Sequence, residues 1–162
     1  MRPAPTEPMA LEIERKWLVD GAQALPPEVL AVDGTEIQQG YLTIGEGGGE
    51  TRVRGRAGMY TLTVKSGRGL VRNENEVELT AQQFEALWPA TEGARVEKLR
   101  RALPLEDGLT AELDVYAGAN SGLMVVEVEF DDPWGAESFI VPYWFGREVT
   151  DDDAYKNRNL AG

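Results

Sequence analysis

The sequence contains neither cysteine nor histidine among its 162 residues. Without cysteine, the chain forms no disulfide bond and offers no thiolate to a metal. Without histidine, it lacks the side chain that most often acts as an acid or base near neutral pH. None of the serines stands in a Gly-x-Ser-x-Gly motif, so serine-hydrolase chemistry is excluded as well. Carboxylates, which bind hard cations, remain as the candidate metal ligands.

Basic residues are scarce relative to acidic ones, since 16 Lys and Arg stand against 28 Asp and Glu for a formal net charge of -12. Such a charge repels DNA, RNA and anionic membrane surfaces, so we expect no nucleic-acid or membrane partner. Long apolar runs are also missing, because no stretch reaches the roughly 18 residues of a membrane span. The proline-rich residues 3–8 lack a signal peptide's apolar core. These features predict a cytoplasmic protein.

The length of the chain is typical of one domain. The first ten residues contain three prolines and no periodic pattern, which predicts a disordered tail over residues 1–10. We therefore expect a single folded domain over residues 11–162. The sequence leaves the oligomeric state open, with a homodimer as one candidate assembly.

Apolar and polar residues alternate with a period of two over eight segments, as in strands with two different faces. Glycine-rich turns separate the segments, and short turns join antiparallel neighbours. We predict an α+β, mainly β fold: an eight-stranded antiparallel closed β-barrel with a few covering helices, because closure removes exposed strand edges. The predicted strands are residues 11–19, 37–44, 51–56, 60–65, 71–79, 96–103, 109–116 and 123–130.

Two helices are predicted from capping patterns. Thr80 can cap a helix whose third residue, Gln83, completes a capping box, and Phe84 begins an apolar stripe that would lie against the sheet. A second helix is expected to begin after Thr150, whose hydroxyl would cap it. The acidic residues 151–153 would then occupy its first turn, where they complement the helix dipole.

Charged residues occupy the polar face of almost every predicted strand, and for one strand alone solvent exposure is the simpler interpretation. Taken together, the charged faces of several strands weaken that interpretation. Glu127 and Glu129 project the same way about 7 Å apart, and such pairs repel unless a cation joins them. Arg52 and Arg54 form a pair suited to phosphate oxygens. The faces hold Glu12, Glu14, Lys16, Arg52, Arg54, Lys65, Arg72, Glu74, Glu76, Lys98, Arg100, Glu112, Asp114, Glu127 and Glu129.

These eight acids and seven bases almost balance, so most of the negative charge lies elsewhere on the molecule. A cavity of mixed sign inside an acidic exterior would bind a metal-neutralised polyanion and repel nucleic acid. The charge pattern therefore favours a metal-dependent polyphosphate site.

In these residues the chain resembles the CYTH superfamily of triphosphate tunnel metalloenzymes, whose opening signature is Glu-x-Glu-x-Lys. Here the signature reads Glu12-Ile13-Glu14-Arg15-Lys16. The blocks that follow in family order are Gln39-Gly40-Tyr41-Leu42, Arg52-Val53-Arg54, Leu62-Thr63-Val64-Lys65, Arg72-Asn73-Glu74-Asn75-Glu76, Glu97-Lys98-Leu99-Arg100, Glu112-Leu113-Asp114-Val115 and Glu127-Val128-Glu129-Phe130. Residues 88–93 and 144–150 are similar to the short bacterial branch that acts on inorganic triphosphate.

The resemblance implies an eight-stranded barrel whose charged residues point into a tunnel, with Ile13 and Trp17 packed outward against helices. It implies that Mg²⁺ or Mn²⁺, as one or two ions, assists the hydrolysis of tripolyphosphate to pyrophosphate and orthophosphate. The implied phosphate-binding residues are Lys16, Arg52, Arg54, Lys65, Arg72, Lys98 and Arg100. The implied metal ligands are Glu12, Glu14, Glu76, Asp114, Glu127 and Glu129. Glu127, Glu129 and Lys98 are the implied catalytic residues, supported by Glu74, Glu112 and Tyr41.

Two alternatives stay open at the level of sequence. The triphosphate could carry an organic group, as in thiamine triphosphatases, nucleoside triphosphatases and adenylyl cyclases, with Tyr41, Tyr60 or Trp144 stacking on that group. The chain could also bind polyphosphate without hydrolysing it. Products formed from separate substrates with and without divalent metal would distinguish these functions.

Overall fold

The computed structural model describes residues 13–47, 49–66 and 73–162. Eight strands form within these ranges, and each overlaps one of the eight segments of alternating polarity. The strands are β1 (Ile13–Leu18), β2 (Thr35–Ile44), β3 (Glu50–Arg56), β4 (Met59–Ser66), β5 (Asn73–Leu79), β6 (Arg95–Pro104), β7 (Thr110–Tyr116) and β8 (Met124–Phe130). The mainly β fold is confirmed.

All neighbouring strands pair antiparallel in one sheet, in the order β1-β8-β7-β6-β2-β3-β4-β5. Within the described ranges, the terminal strands β1 and β5 are not hydrogen-bonded to each other, so closure into a barrel is not established. The sheet is nevertheless strongly curved, because side chains from all eight strands line one cavity. The fold is therefore an eight-stranded antiparallel sheet wrapped around a central site.

The apolar face of the sheet points away from the cavity and packs under the helices and the C-terminal segment. Trp17 of β1, on the side opposite the charged residues, is 2% exposed. Its ring contacts Phe139 and Phe145 at centroid distances of 5.7 and 4.9 Å. Leu113 and Val126 of the neighbouring strands complete the same core. Ile13 packs against this core, which confirms the outward placement of Ile13 and Trp17.

The helices are short and lie outside the sheet. The predicted capping box is confirmed at α2: Thr80 Oγ1 accepts from Gln83 N at 3.1 Å, and Gln83 Oε1 accepts from Thr80 N at 2.8 Å. Phe84 then packs on Tyr60 of β4, with ring centroids 4.7 Å apart. The helices are α1 (Pro27–Leu30), α2 (Ala81–Leu87), α3 (Pro133–Ser138) and α4 (Asn157–Leu160), with 3₁₀ turns at Ala22–Ala24, Trp88–Thr91, Glu106–Gly108, Gly118–Asn120 and Asp153–Tyr155.

The prediction of a helix capped by Thr150 is wrong. The Thr150 hydroxyl donates to Glu148 Oε2 at 2.7 Å and accepts from the Lys16 amide at 3.1 Å, so it ties the C-terminal segment to β1. Asp152 is the actual cap, accepting from the Ala154 amide at 3.1 Å at the start of the Asp153–Tyr155 turn. In the described part of the chain, no helix has the length and apolar character needed to cross a membrane.

Candidate active site

A polar cavity of about 350 Å³ lies on the concave side of the sheet. Seven of its lining residues are carboxylates and seven are cations, so the cavity is electrically balanced although the chain carries a net charge of -12. The lining residues are Glu14, Lys16, Tyr41, Glu50, Arg52, Arg54, Lys65, Glu74, Glu76, Arg100, Glu112, Glu127, Glu129, Thr150, Lys156, Asn157 and Arg158.

One side of the site, which we call the paired wall, is formed by Lys16, Lys98, Arg100, Glu112, Asp114 and Glu127 on β1 and β6–β8. Its centre is Asp114, which is fully buried and joins two cations. Lys98 Nζ lies 2.8 Å from Asp114 Oδ2, and Arg100 binds both carboxylate oxygens at 2.7 and 2.8 Å. The register of β6 and β7 causes this contact, because it places Arg100 directly opposite Asp114.

The pKa of Asp114 reflects these contacts. Burial alone would raise it, but the hydrogen bond from Arg100 and the charge of Lys98 outweigh burial and hold the pKa below its usual range. Burial lowers the pKa of Lys98. The three groups therefore form a cluster in which the Asp114 carboxylate faces two basic side chains.

Glu127 extends the paired wall toward β1. Lys16 Nζ lies 3.1 Å from its Oε1 and donates to the Tyr155 carbonyl at 3.1 Å, which ties the C-terminal segment to the site. Arg100 approaches the other oxygen at 3.9 Å and also pairs with Glu112. Burial would raise the pKa of Glu127, but the neighbouring cations, Lys16 foremost, lower it.

The adjacent side of the site, which we call the arginine wall, is formed by Gln39, Tyr41, Glu50, Arg52 and Arg54 on β2 and β3. Arg54 donates from Nε and a terminal nitrogen to the amide oxygen of Gln39, at 2.9 and 2.7 Å. Burial, with the charges of Arg52 and Arg100, lowers the pKa of Arg54 to about 10. Arg54 is thus held at the cavity surface with its positive charge intact at neutral pH.

Arg52 is held more loosely than the cations of the paired wall. Its nearest described carboxylate, Glu50, lies 3.8 Å away. Its Nε is buried and has no hydrogen-bond acceptor among the described residues. Buried N–H groups are almost always satisfied, so this donor indicates a place for an acceptor that enters the cavity.

Strands β4 and β5, which come last in the order of the sheet, bring further charges to the cavity. Lys65 Nζ lies 3.8 Å from Glu74 Oε2, and the Thr63 hydroxyl donates to Glu76 Oε2 at 3.2 Å. Both contacts join residues that the β4–β5 register places opposite each other. Among the described residues, this side of the cavity therefore carries one cation and two carboxylates.

Carboxylates also gather where β1 meets β8. Glu14 and Glu129 are directly opposite in the register of these strands and both line the cavity. Within the described ranges, however, no group of three acidic side chains is close enough to hold a metal ion by itself. The predicted ligand Glu12 lies outside those ranges, as does the predicted phosphate-binding residue Arg72.

The structure brings together all the other predicted site residues around the cavity. Most of them line its surface, and two lie behind it. Lys98 and Asp114 have fully buried side chains and stand behind the cavity surface. The predicted catalytic, phosphate-binding and metal-binding roles stay predictions. The residues that do line the cavity are Glu14, Lys16, Tyr41, Arg52, Arg54, Lys65, Glu74, Glu76, Arg100, Glu112, Glu127 and Glu129.

Two groups of residues at the site were not predicted from the sequence. Gln39 and Glu50 share the inward parity of Tyr41 and Arg52, which was an available signal. The C-terminal residues Lys156, Asn157 and Arg158 line one part of the cavity, and there the only signal was a pair of basic residues after an acidic run. Asn157 is fixed by the Tyr116 hydroxyl, which donates to its Oδ1 at 2.6 Å.

Comparison with known proteins identifies close relatives over nearly the whole length, although no protein-family model matches the chain. An inorganic triphosphatase of Nitrosomonas europaea is 51% identical over 150 residues, which are 93% of this chain and 96% of that protein. An inorganic triphosphatase of Acetivibrio thermocellus is 36% identical and covers 94% of both chains. A crystal structure of an inorganic triphosphatase, 47% identical, has a TM-score of 0.72 over 94% of this chain and 95% of that one. A structure from Bacillus halodurans, 16% identical with a TM-score of 0.61 over 78% of this chain and 84% of that one, shares the fold alone.

Proposed function

Because the chain belongs to the family of inorganic triphosphatases within the CYTH superfamily, we propose that it hydrolyses tripolyphosphate in the cavity. One water molecule cleaves a phosphoanhydride bond and yields pyrophosphate and orthophosphate. The observation that carries the proposal is the adjacency of Arg52 and Arg54, with the buried Arg52 Nε finding no acceptor among the described residues. An unsatisfied buried donor costs on the order of 1–3 kcal/mol, and a phosphate oxygen would satisfy it.

The cavity's cations would hold the phosphate chain at several points. Arg52 and Arg54 offer planar groups that can donate two hydrogen bonds to one phosphate. Lys65 approaches from the neighbouring strand β4, and Lys156 and Arg158 approach from the C-terminal segment. Phosphoryl transfer depends mainly on such positioning and charge stabilisation, which explains how a chain without histidine could perform it.

The donors of this cavity fit a divalent cation. Glu14 and Glu129 face each other across β1 and β8 and both line the cavity, so two carboxylates converge on one space. Oxygen donors suit Mg²⁺ or Mn²⁺, and we propose Glu14, Glu127 and Glu129, together with Glu12, as the residues that would hold one. A bound ion would supply charge neutralisation and a more acidic water.

Glu76, the remaining cavity carboxylate of the implied ligand set, lies on β5 and accepts from Thr63. It could meet a second ion on the opposite side of the substrate, with Glu74 beside it. We assign Asp114 a different role, because its oxygens already accept from Lys98 and Arg100. In this proposal Asp114 keeps Lys98 and Arg100 in place, and Lys98 acts through the field that it adds behind the phosphate site.

A closed tunnel is also part of the proposal. The terminal strands β1 and β5 contribute Glu14 and Glu76 to the same cavity, so the sheet brings its two ends toward a common space. Residues 11–12 and 71–72, which continue these strands in the sequence prediction, lie outside the described ranges. Cytoplasmic location and the absence of nucleic-acid and membrane partners stay predictions.

The proposal is tested by ³¹P NMR of separate reactions with tripolyphosphate, pyrophosphate, long polyphosphate, thiamine triphosphate and ATP. Each is run with Mg²⁺, with Mn²⁺ and with EDTA. We expect equal amounts of pyrophosphate and orthophosphate from tripolyphosphate, in either metal and not in EDTA. Three outcomes would contradict the proposal. Cyclic nucleotide from ATP would indicate a cyclase, and faster cleavage of thiamine triphosphate would indicate a thiamine triphosphatase. Tripolyphosphate binding without hydrolysis would indicate a binding protein.

A further inference from the structure

The arginine wall differs from the rest of the site in the kind of group that holds Arg54, its central cation. Six of the implied phosphate-binding cations lie in the described part of the chain, and five of them have a carboxylate within 4 Å. Within that part, Arg54 has none. Its guanidinium is held by the uncharged amide oxygen of Gln39, at 2.9 and 2.7 Å.

Gln39 is built into the fold as a fixed support. It is 0% exposed, in the middle of β2 and directly opposite Arg54 in the β2–β3 register. Its amide nitrogen donates to the Tyr41 hydroxyl at 2.6 Å. Arg54 fixes the direction of the amide, because a guanidinium only donates and so must face the oxygen, while the Tyr41 hydroxyl can accept from the nitrogen.

A glutamate would fit the same space and hold the same two nitrogens, but it would cancel the charge of Arg54. The paired wall shows the result of that arrangement, since Asp114, Glu112 and Glu127 surround Arg100. A neutral acceptor holds the guanidinium in one orientation and leaves its full charge for an incoming anion. Charge-assisted hydrogen bonds are about twice as strong as neutral ones, so the retained charge matters for affinity.

We propose that Gln39 is a positioning residue that presents Arg54, which has no described carboxylate within 4 Å, to a phosphate group of the substrate. This rests on the proposed function, because it takes the bound polyanion to be the triphosphate. The neutrality of residue 39 leaves the charge of Arg54 available to the anion, and its amide oxygen sets the orientation of the guanidinium.

The test compares wild type with Gln39→Glu, which changes charge with almost no change of shape. Gln38→Glu is the matched control, because Gln38 is the preceding residue of the same strand and is exposed on the outer face. Binding of tripolyphosphate is measured by isothermal titration calorimetry in EDTA, where metal-dependent hydrolysis cannot proceed. Hydrolysis with Mg²⁺ is measured separately for KM and kcat.

We expect Gln39→Glu to weaken tripolyphosphate binding at least about tenfold, the equivalent of ~1.4 kcal/mol, and to raise KM more than it lowers kcat. Gln38→Glu should stay within about twofold of wild type. Equal affinity of wild type and Gln39→Glu, with wild type still hydrolysing tripolyphosphate, would overturn this inference and leave the proposed function standing. Binding by wild type without any hydrolysis would instead overturn the proposed function alone.

Thermal unfolding first establishes whether Gln39→Glu folds. If it does not, Gln39→Met tests the orienting half of the proposal, because methionine has a similar length and no amide group. The loss of both Arg54 hydrogen bonds should weaken binding about threefold or more. Wild-type affinity in a folded Gln39→Met protein would then overturn the inference.

Discussion

The paired wall and the arginine wall lie next to each other in one sheet but differ in the groups that hold their cations. On the paired wall, Asp114 binds Lys98 and Arg100 at 2.7–2.8 Å, and Glu127 binds Lys16 at 3.1 Å. On the arginine wall, Arg52 lies 3.8 Å from its carboxylate neighbour and Arg54 is held by an amide. The same residue type thus serves two purposes, a fixed electrostatic frame and a receptor for anions.

This difference shows why charge alone does not identify a phosphate-binding residue. A cation enclosed by carboxylates is already compensated, so an incoming phosphate must compete with its existing partners. A cation held by a neutral acceptor, or by a distant carboxylate, gains more from the same phosphate.

The largest effect is expected when the centre of the paired wall is removed. Asp114→Asn leaves Lys98 and Arg100 without their shared carboxylate, and breaking a buried ion pair in this way costs about 3–5 kcal/mol of unfolding free energy. Urea unfolding measures the change. Glu112→Gln, which also contacts Arg100 but is 35% exposed, should lose about 1 kcal/mol or less. Equal losses in the two variants would contradict a structural centre at Asp114.

Neutralising a cavity carboxylate should impair turnover with little effect on folding. For Glu129→Gln we expect kcat with Mg²⁺ to fall about 100-fold, since electrostatic groups at reacting centres have effects of this order. Tripolyphosphate affinity in EDTA should stay within about twofold. Glu97→Gln, on the outer face of β6, serves as the control. Parallel loss of kcat and of affinity in EDTA would show that Glu129 acts on binding and would contradict a metal role.

Removing a cation from the arginine wall should weaken substrate binding while leaving the protein folded. Arg52→Gln should raise KM for tripolyphosphate at least about tenfold, because charge-assisted hydrogen bonds contribute about 1.5–3 kcal/mol. Steady-state kinetics and calorimetry measure the change. The matched control is Arg56→Gln, on the same strand but exposed and outside the cavity. A KM for Arg52→Gln as low as that of the control would show that Arg52 does not bind the substrate.

The smallest effect concerns pH. The folded-state pKa values of Asp114 and Glu127 are lower than usual, so their stabilising contribution is complete above the unfolded values of about 4 and is lost as pH falls below them. The unfolding free energy should therefore decline below about pH 4. Glu127→Gln should reduce this slope by up to about 1.4 kcal/mol per pH unit. An unchanged slope in Glu127→Gln would contradict a compensated Glu127.

Local sequence patterns predicted most of the fold, because strand alternation and helix caps are local effects. Trp17 outside and Lys16 inside follow from a period of two, and the Thr80 capping box needs only residues three positions apart. The C-terminal segment could not be predicted in the same way. Thr150 had a tertiary partner, the backbone of β1, and that contact overrode its capping preference.

The members of the site were predictable from parity, but their partners were not. Arg52 and Arg100 look equivalent in sequence, since each lies on an inward strand face beside a second cation. Their environments differ because the β6–β7 register places Asp114 opposite Arg100, whereas the β3–β4 register places Thr63 opposite Arg52. Gln39 was not assigned to the site because its neutral side chain adds nothing to a pattern of charges, although it shares the inward parity of Tyr41.

The most direct test is a crystal structure of the protein with tripolyphosphate bound in the absence of divalent metal. We predict phosphate oxygens within hydrogen-bond distance of Arg52 Nε and of the Arg54 guanidinium, with Arg100 still bound to Asp114. A phosphate chain that displaces Asp114 from Arg100, or that lies outside the cavity, would contradict this account. Arg52 and Arg54 of the arginine wall would then not be the substrate-binding cations, or the Asp114–Arg100 pair would not be a fixed part of the paired wall.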